Sequence, residues 1–284
     1  MLNTTGLDIG VLGKPQTRAL GEPYIDAAGE LQIGAKDEPH IGVPGELKIS
    51  APNDPLLVLA THNAGKVKEL REILRTQPGL ADLPDSAIAS SADFDLTAPA
   101  EDGATFAENA LIKARVVCQA TGLPAVADDS GLSVDIMGGA PGIFSARWCG
   151  HHGDDAANLN LLLGQLAENP DPAHRKAAFI CAAALVLPDG REFVELGQMR
   201  GTLLTEARGT GGFGYDPIFV PDDAMHSTHD EAVAPRSKNP KDAVTSGPTT
   251  AELSPAQKNA ISHRGRAFRQ LAPLITRAIA SNVG

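Results

Sequence analysis

The rhythm of apolar positions changes at Leu56. Before it, from Met1 to Asp54, short apolar pieces lie among Gly and Pro, and the stretch ends in the breaker-rich Ser50-Ala51-Pro52-Asn53-Asp54-Pro55. Gly29-Glu30-Leu31-Gln32-Ile33 and Gly45-Glu46-Leu47-Lys48-Ile49 are alike, but two short copies do not make a repeat architecture. Residues 1–54 are therefore expected to be an N-terminal extension and residues 55–284 the domain. From Leu56 to Ala60 an apolar run predicts a strand. Val67, Leu70, Ile73 and Leu74 then share one face at helical spacing, which predicts a helix from Val67 to Arg75. Thr105 with Glu108 fits a capping box for a second helix, running through Leu111 and Val117 to a stop at Gly122. Pro124 leads into Ala125-Val126-Ala127, a short buried strand.

Further on, Asn158 to Leu166 reads as a helix. Ala177 to Leu187 reads as a strand closed by Pro188-Asp189-Gly190, with Arg191 to Leu196 as its hairpin partner. Between Asp222 and Thr250 the chain is polar and almost without periodic apolar positions, which predicts a loop insertion at about 223–249. His226 and His229 within it are read as solvated loop residues rather than metal ligands. Ser254-Pro255 is a good helix start, and Phe268, Leu271, Ile275 and Ile279 form the apolar face that follows. Strands and helices thus interleave, and the expected fold is α/β: a mixed central sheet flanked by helices, in two lobes with the active-site cleft between them.

An apolar share of 42% in 284 residues suffices for a substantial core. No apolar run approaches the roughly 20 residues that cross a bilayer, and the first residues lack a basic-then-apolar order, so a cytoplasmic protein without a membrane partner is expected. Cys118, Cys149 and Cys181 are odd in number and widely spaced, which argues against a disulfide framework or a zinc site. A formal charge of -11 disfavours a nucleic-acid partner, whose backbone is held by many cations. A small polyanion stays compatible wherever cations gather locally.

Several segments carry candidate chemistry. Thr61-His62-Asn63-Ala64-Gly65-Lys66 follows a strand and opens a helix, where free N–H groups and the helix dipole attract phosphate; Lys66 adds a full charge. Ala60 and Val67 stand where a Walker A loop needs Gly and Ser or Thr, so that pattern is excluded, and an ordinary strand-to-helix turn is the plain alternative. Gly209-Thr210-Gly211-Gly212-Phe213-Gly214 matches G-x-G-x-x-G, but Pro217 shortly after forbids the helix a dinucleotide site requires. Phe213 in that loop could stack on a base or fill the core. The acids Glu101, Asp102, Glu108, Asp128 and Asp129 offer hard oxygen ligands, which suit magnesium. Glu108 reads equally well as a helix cap, and Asp128-Asp129 is placed at the end of the Ala125 strand. Neighbours in extended chain point to opposite sides, so those two acids are expected to do different jobs. Lys258, His263 and Arg264 form a cationic cluster, with a solvated helix face as the alternative. There is no Gly-x-Ser-x-Gly elbow, and Cys149 near His151 makes no recognisable catalytic pattern, so metal-activated water fits better than a covalent intermediate.

Taken in order, seven motifs resemble the inosine/xanthosine triphosphate pyrophosphatase family. They are Thr61 to Lys66, Thr105 to Ala110, Ala127 to Leu132, Gly138 to Gly142, Ser145 to Arg147, Gly211 to Pro217 and Ser262 to Gly265, spread from Leu56 to about Leu274. The resemblance implies hydrolysis of non-standard purine nucleoside triphosphates (ITP, dITP, XTP) to the monophosphate and pyrophosphate. It implies Mg2+ held by Glu101 and Asp129, with Asp129 also the catalytic carboxylate. It places Thr61, His62, Asn63, Ala64, Gly65, Lys66 and Lys258 on the triphosphate. Ser130, Phe213, Gly214, Tyr215, Asp216, His263 and Arg264 match positions that hold the nucleotide, with Phe213 placed to stack on the base, while Lys113 and Arg147 fall near the site. A homodimer is implied as well. His62 stands where the family often has Gly, and the extension and the inserted loop are not usual family parts; the loop, lying between Asp216 and Lys258 in sequence, is expected to border the nucleotide site.

Overall fold

The computed structural model describes residues 24–25, 31–32, 55–81, 83–225 and 246–283. In the unit Met1–Gly45 these are two short strands, β1 (Tyr24–Ile25) and β2 (Leu31–Gln32), paired antiparallel. The other described elements belong to the second unit, Glu46–Gly284. His226, His229 and most of the expected insertion lie outside the described residues.

The second unit is built on six strands in the order β4-β3-β5-β6-β7-β8. β3 (Leu57–Leu59) runs parallel to β4 (Ile88–Ser90) on one side and to β5 (Ala125–Val134) on the other. β5, β6 (Lys176–Val186), β7 (Glu192–Leu203) and β8 (Phe219–Pro221) pair antiparallel, so the sheet is mixed and flanked by helices as expected.

Alternation along the strands sends their side chains to two cores. Leu57, Leu59, Cys181 and Ala183 pack on one face with α1 (Ala64–Arg75) and the terminal helix α5 (His263–Val283), whose Phe268, Leu271, Ile275 and Ile279 are the expected apolar face. Val58, Ala125, Ala127 and Ala182 pack on the other face with α2 (Phe106–Thr121) through Ala110, Leu111, Ala114 and Val117. A third cluster, around Leu132, Leu162, Phe179 and Phe219, covers the far ends of the long strands together with α3 (Asp155–Gln165). The short helix α4 (Pro255–Ile261) begins at Ser254, whose side chain accepts from the Gln257 N–H.

Two strands are longer than the sequence suggests. β5 does not stop at Ala127 but continues to Val134, so Asp128 and Asp129 lie within the strand rather than at its end. Opposite them on β6 stand Ala183 and Ala182, small residues that leave room for the carboxylates and their partners. β7 runs on past Leu196 to Leu203 through Gly197 and Gly201, which interrupt the apolar alternation. α3 starts three residues ahead of the expected Asn158, capped by Asp154, whose carboxylate accepts from the Ala157 N–H.

Candidate active site

The strand order fixes where a ligand should bind. From β3 the chain crosses through α1 to β4 on one side; from β4 it crosses through α2 to β5 on the other side of β3, with the two helices on opposite faces. The carboxyl ends of β3 and β5 are therefore a topological switch point, the place where open α/β sheets bind ligands. β5 is paired with β3 only up to Leu59↔Val126, so Asp128 and Asp129 project beyond the end of β3, beside the Thr61 loop. A cleft of ≈ 270 Å³ opens there, lined among others by Thr61, His62, Lys66, Glu101, Lys113 and Asp128.

The Thr61 to Lys66 loop is shaped by its own side chains. Asn63 caps α1, its Oδ1 accepting from the N–H groups of Gly65 at 2.9 Å and Lys66 at 3.1 Å, while Thr61 Oγ1 accepts from the Asn63 N–H at 3.2 Å. Ala64 and Gly65 are exposed at this positive helix end. His62 Nε2 forms a short hydrogen bond with the Leu96 carbonyl, tying the loop to the segment that leads to Glu101.

The two aspartates do separate jobs, as alternation requires. Asp128 is buried and takes three partners: Arg264 Nε at 3.0 Å, Ser130 Oγ at 3.0 Å and Lys66 Nζ at 3.4 Å. Burial pushes its carboxyl upward, but the charges of Lys66, Arg264 and Lys113 outweigh that and hold it well below the usual carboxylate range. Arg264 is itself buried, and its other arm lies 2.8 Å from Glu69 on α1. Asp129 faces the other way. Lys113 Nζ stands 3.2 Å from its Oδ1 and 3.1 Å from Glu101, so one ammonium bridges the two carboxylates. Burial pushes the Asp129 carboxyl up; Lys113 opposes that and Glu101 adds to it.

A second group sits around the Gly-rich loop. Phe213 projects into solvent, 55% exposed, with Lys258 Nζ 4.9 Å from its ring centroid. Asp216 is buried; its Oδ2 accepts from the Phe213 N–H at 2.8 Å and from Lys258 Nζ at 2.5 Å. The Gly214 N–H donates to Asp155, and the Tyr215 hydroxyl donates to the Ser145 carbonyl at 2.9 Å. His263 is stacked on Phe179 with centroids 5.1 Å apart, and its buried Nδ1 has no partner among the described residues. Burial, then the neighbouring charges of Arg264 and Lys258, depress its pKa well below the ordinary histidine value, so the ring is neutral at pH 7.

The structure therefore brings Thr61, Lys66, Glu101, Lys113 and Asp128 to one cleft, joins Asp129 to it through Lys113, and gathers Phe213, Asp216 and Lys258 around the glycine loop. Asp102 is exposed, and Glu108 caps its helix through a bond from the Ala104 N–H. Arg147 lies over the Phe144 ring instead of joining a carboxylate. Lys258, His263 and Arg264 are not a solvated helix face, because Asp216, Phe179 and Asp128 cover them. Two residues that hold the site together were not read from sequence: Glu69, which is one turn from Lys66 on the same face, and Asn109, a polar residue at a core position of α2.

Fold and site define an α/β protein with an exposed helix N-terminus beside a lysine-bridged pair of carboxylates. A model described as the Ham1 family matches residues 57–274, and the chain belongs to that family. A dITP/XTP pyrophosphatase of Streptomyces avermitilis is 53% identical over 219 residues, covering 77% of this chain and 96% of that protein. Its counterpart in Streptomyces coelicolor is 52% identical over the same shares. Among solved structures, a HAM1 protein from Coxiella burnetii has a TM-score of 0.62 at 36% identity, covering 78% of this chain and 98% of its own. A nucleoside-triphosphatase, or dITP/XTP pyrophosphatase, from Mycobacterium abscessus has a TM-score of 0.56 at 42% identity, covering 76% and 98%. The family resemblance carried by the seven motifs is borne out.

Proposed function

We propose that this protein hydrolyses non-standard purine nucleoside triphosphates, dITP, ITP and XTP, to the monophosphate and pyrophosphate. The observation that carries the reading is the pair Glu101 and Asp129, held around a single ammonium beside a helix N-terminus with Lys66. Relatives named dITP/XTP pyrophosphatases at up to 53% identity supply the substrate class. Among the described residues no three His, Cys, Asp or Glu side chains gather as a metal site. Two carboxylates are the number Mg2+ takes when phosphate oxygens and water complete its shell, so Glu101 and Asp129 fit that cation. When bound, Mg2+ neutralises phosphate charge and lowers the pKa of water.

The chain's own residues do the rest. The helix end at Ala64 and the Lys66 ammonium receive the triphosphate, which is mostly a task of positioning and charge. Lys113, freed from one carboxylate, supplies a second positive charge. Asp129 accepts the proton of the attacking water. Phe213 offers the base the ring face opposite the Lys258 ammonium. Arg264 presents donors, and neutral His263 a ring nitrogen, to a 6-oxo group. Adenine carries an amino donor there and would leave buried donors unpaired. A homodimer working in the cytoplasm is the family expectation that accompanies this reading.

Pyrophosphate release from dITP, XTP, dGTP, dATP and dUTP with Mg2+ tests the proposal. Values of kcat/KM for dITP and XTP should exceed that for dATP by about 100-fold or more. Preference for dATP or dUTP, or no pyrophosphate from any of them, would refute it.

A further inference from the structure

Asn109 has the most constrained polar side chain near the cleft. It is completely buried in α2, and both ends of its amide are used. Its Nδ2 donates to Asp129 Oδ2 at 3.2 Å, and its Oδ1 accepts from the Gly103 N–H at 2.8 Å. Gly103 lies two residues from Glu101. The two cleft carboxylates are thus joined twice. Lys113 joins them directly, as a charge that any cation must compete with. Asn109 joins them through neutral bonds, from Asp129 Oδ2 to the backbone that carries Glu101.

The Glu101 segment is pressed onto α2 at this point. A Cβ on Gly103 would come within 2.7 Å of both Asn109 Oδ1 and the Glu108 Cβ, and the Ala104 N–H donates to Glu108 at 2.6 Å. Burying a side-chain amide costs stability, and these two partners offset the cost. An apolar residue would suit a buried position followed by the core residues Ala110 and Leu111 if packing were the sole requirement.

We propose that Asn109 is a positioning residue for the reaction, setting the orientation and spacing of Glu101 and Asp129 so that the pair is preorganised for a divalent cation. This rests on the assignment of those two carboxylates as the cation's ligands. Partners that orient metal ligands from behind affect affinity by about 10- to 100-fold when removed. Asn109 acts only through the two acids and does not itself touch substrate.

The test is Mn2+ binding to the nucleotide-free protein, followed by electron paramagnetic resonance, with Asn109→Ala and the close-to-isosteric Asn109→Leu. Thermal melting identifies the folded variants, and Asn109→Leu keeps the core filled should Asn109→Ala fail to fold. A folded variant should bind Mn2+ about 10-fold or more weakly than wild type. Its kcat for dITP should fall while KM for dITP stays within about threefold, a split that loss of nucleotide contacts would not give. A folded variant binding Mn2+ within about twofold of wild type overturns the proposal. Asp129→Asn separates the two levels. If it too binds Mn2+ like wild type, the assignment of the cation ligands fails; if it loses Mn2+ while the Asn109 variants keep it, only the role of Asn109 fails.

Discussion

Replacing Asp128 with Asn removes one charge from the centre of a buried chain of alternating charges, Lys66, Asp128, Arg264 and Glu69. The side chains of Asp128 and Arg264 are 2% and 4% exposed, so water cannot take over the lost partner. Breaking a buried pair from one side costs about 3–5 kcal/mol. Arg264 keeps Glu69 at 2.8 Å and Lys66 is partly solvated, so the cost should fall somewhat below that, at about 2–4 kcal/mol. In a protein of this size that lowers Tm by roughly 5–15 °C. The pH signature is more specific. Asp128 is held below its unfolded value, so its contribution is complete above about pH 4 to 5 and is lost as pH falls through the unfolded value towards the folded one. Urea unfolding followed through Trp148, the one tryptophan, measures both. The gap between wild type and Asp128→Asn should stay constant from about pH 8 to 5 and narrow below about pH 4. A gap under about 1 kcal/mol, or one that does not narrow in acid, would refute the account of the charge chain.

Other expectations follow from single residues. Phe213→Ala removes a stacking face worth about 1–3 kcal/mol, so KM for dITP should rise roughly 5- to 150-fold with kcat less affected; an unchanged KM would remove Phe213 from the base site. Because that ring is exposed, the same variant should leave Tm nearly unchanged. Gly131→Ala places a Cβ 2.5 Å from the Gly142 carbonyl and 2.6 Å from Ser145 Oγ, and should destabilise by about 1–3 kcal/mol in urea unfolding. Burial pushes the Cys181 thiol up to about 12 and raises that of Cys118, whereas Cys149 is partly exposed. Iodoacetamide should therefore modify Cys149 first in the native protein, and peptide mapping that finds Cys181 labelled first would contradict its burial.

What the sequence discloses depends on whether the cause is local. The helix from Phe106 was legible because its cap Thr105 and the stop at Gly122 act within a few residues; the helix from Ala64 was legible in its apolar spacing but was read only from Val67, because the Asn63 cap was not recognised. β5 was read too short because Asp128-Asp129-Ser130-Gly131 looks like a polar loop. Its polar groups are satisfied by Lys66, Lys113 and Arg264, up to 136 positions away, and no local pattern shows that. β7 was cut short for a related reason: Gly197 weakens the alternation, yet it is where the α5 backbone approaches the sheet. Asp129 and Lys66 could be proposed from the motifs they sit in, and Glu101 from the family resemblance those motifs carry. Glu69 and Asn109 have meaning only through Arg264 and Asp129, so they emerged with the fold.

The most direct test of the central claim is turnover of dITP with Mg2+ by wild type and Asp129→Asn side by side, quantifying dIMP and pyrophosphate. The account predicts the two products in equal amounts from wild type, and a fall in kcat of about 100-fold or more in the variant while it remains folded. A folded Asp129→Asn protein that turns over dITP within about tenfold of wild type would contradict it.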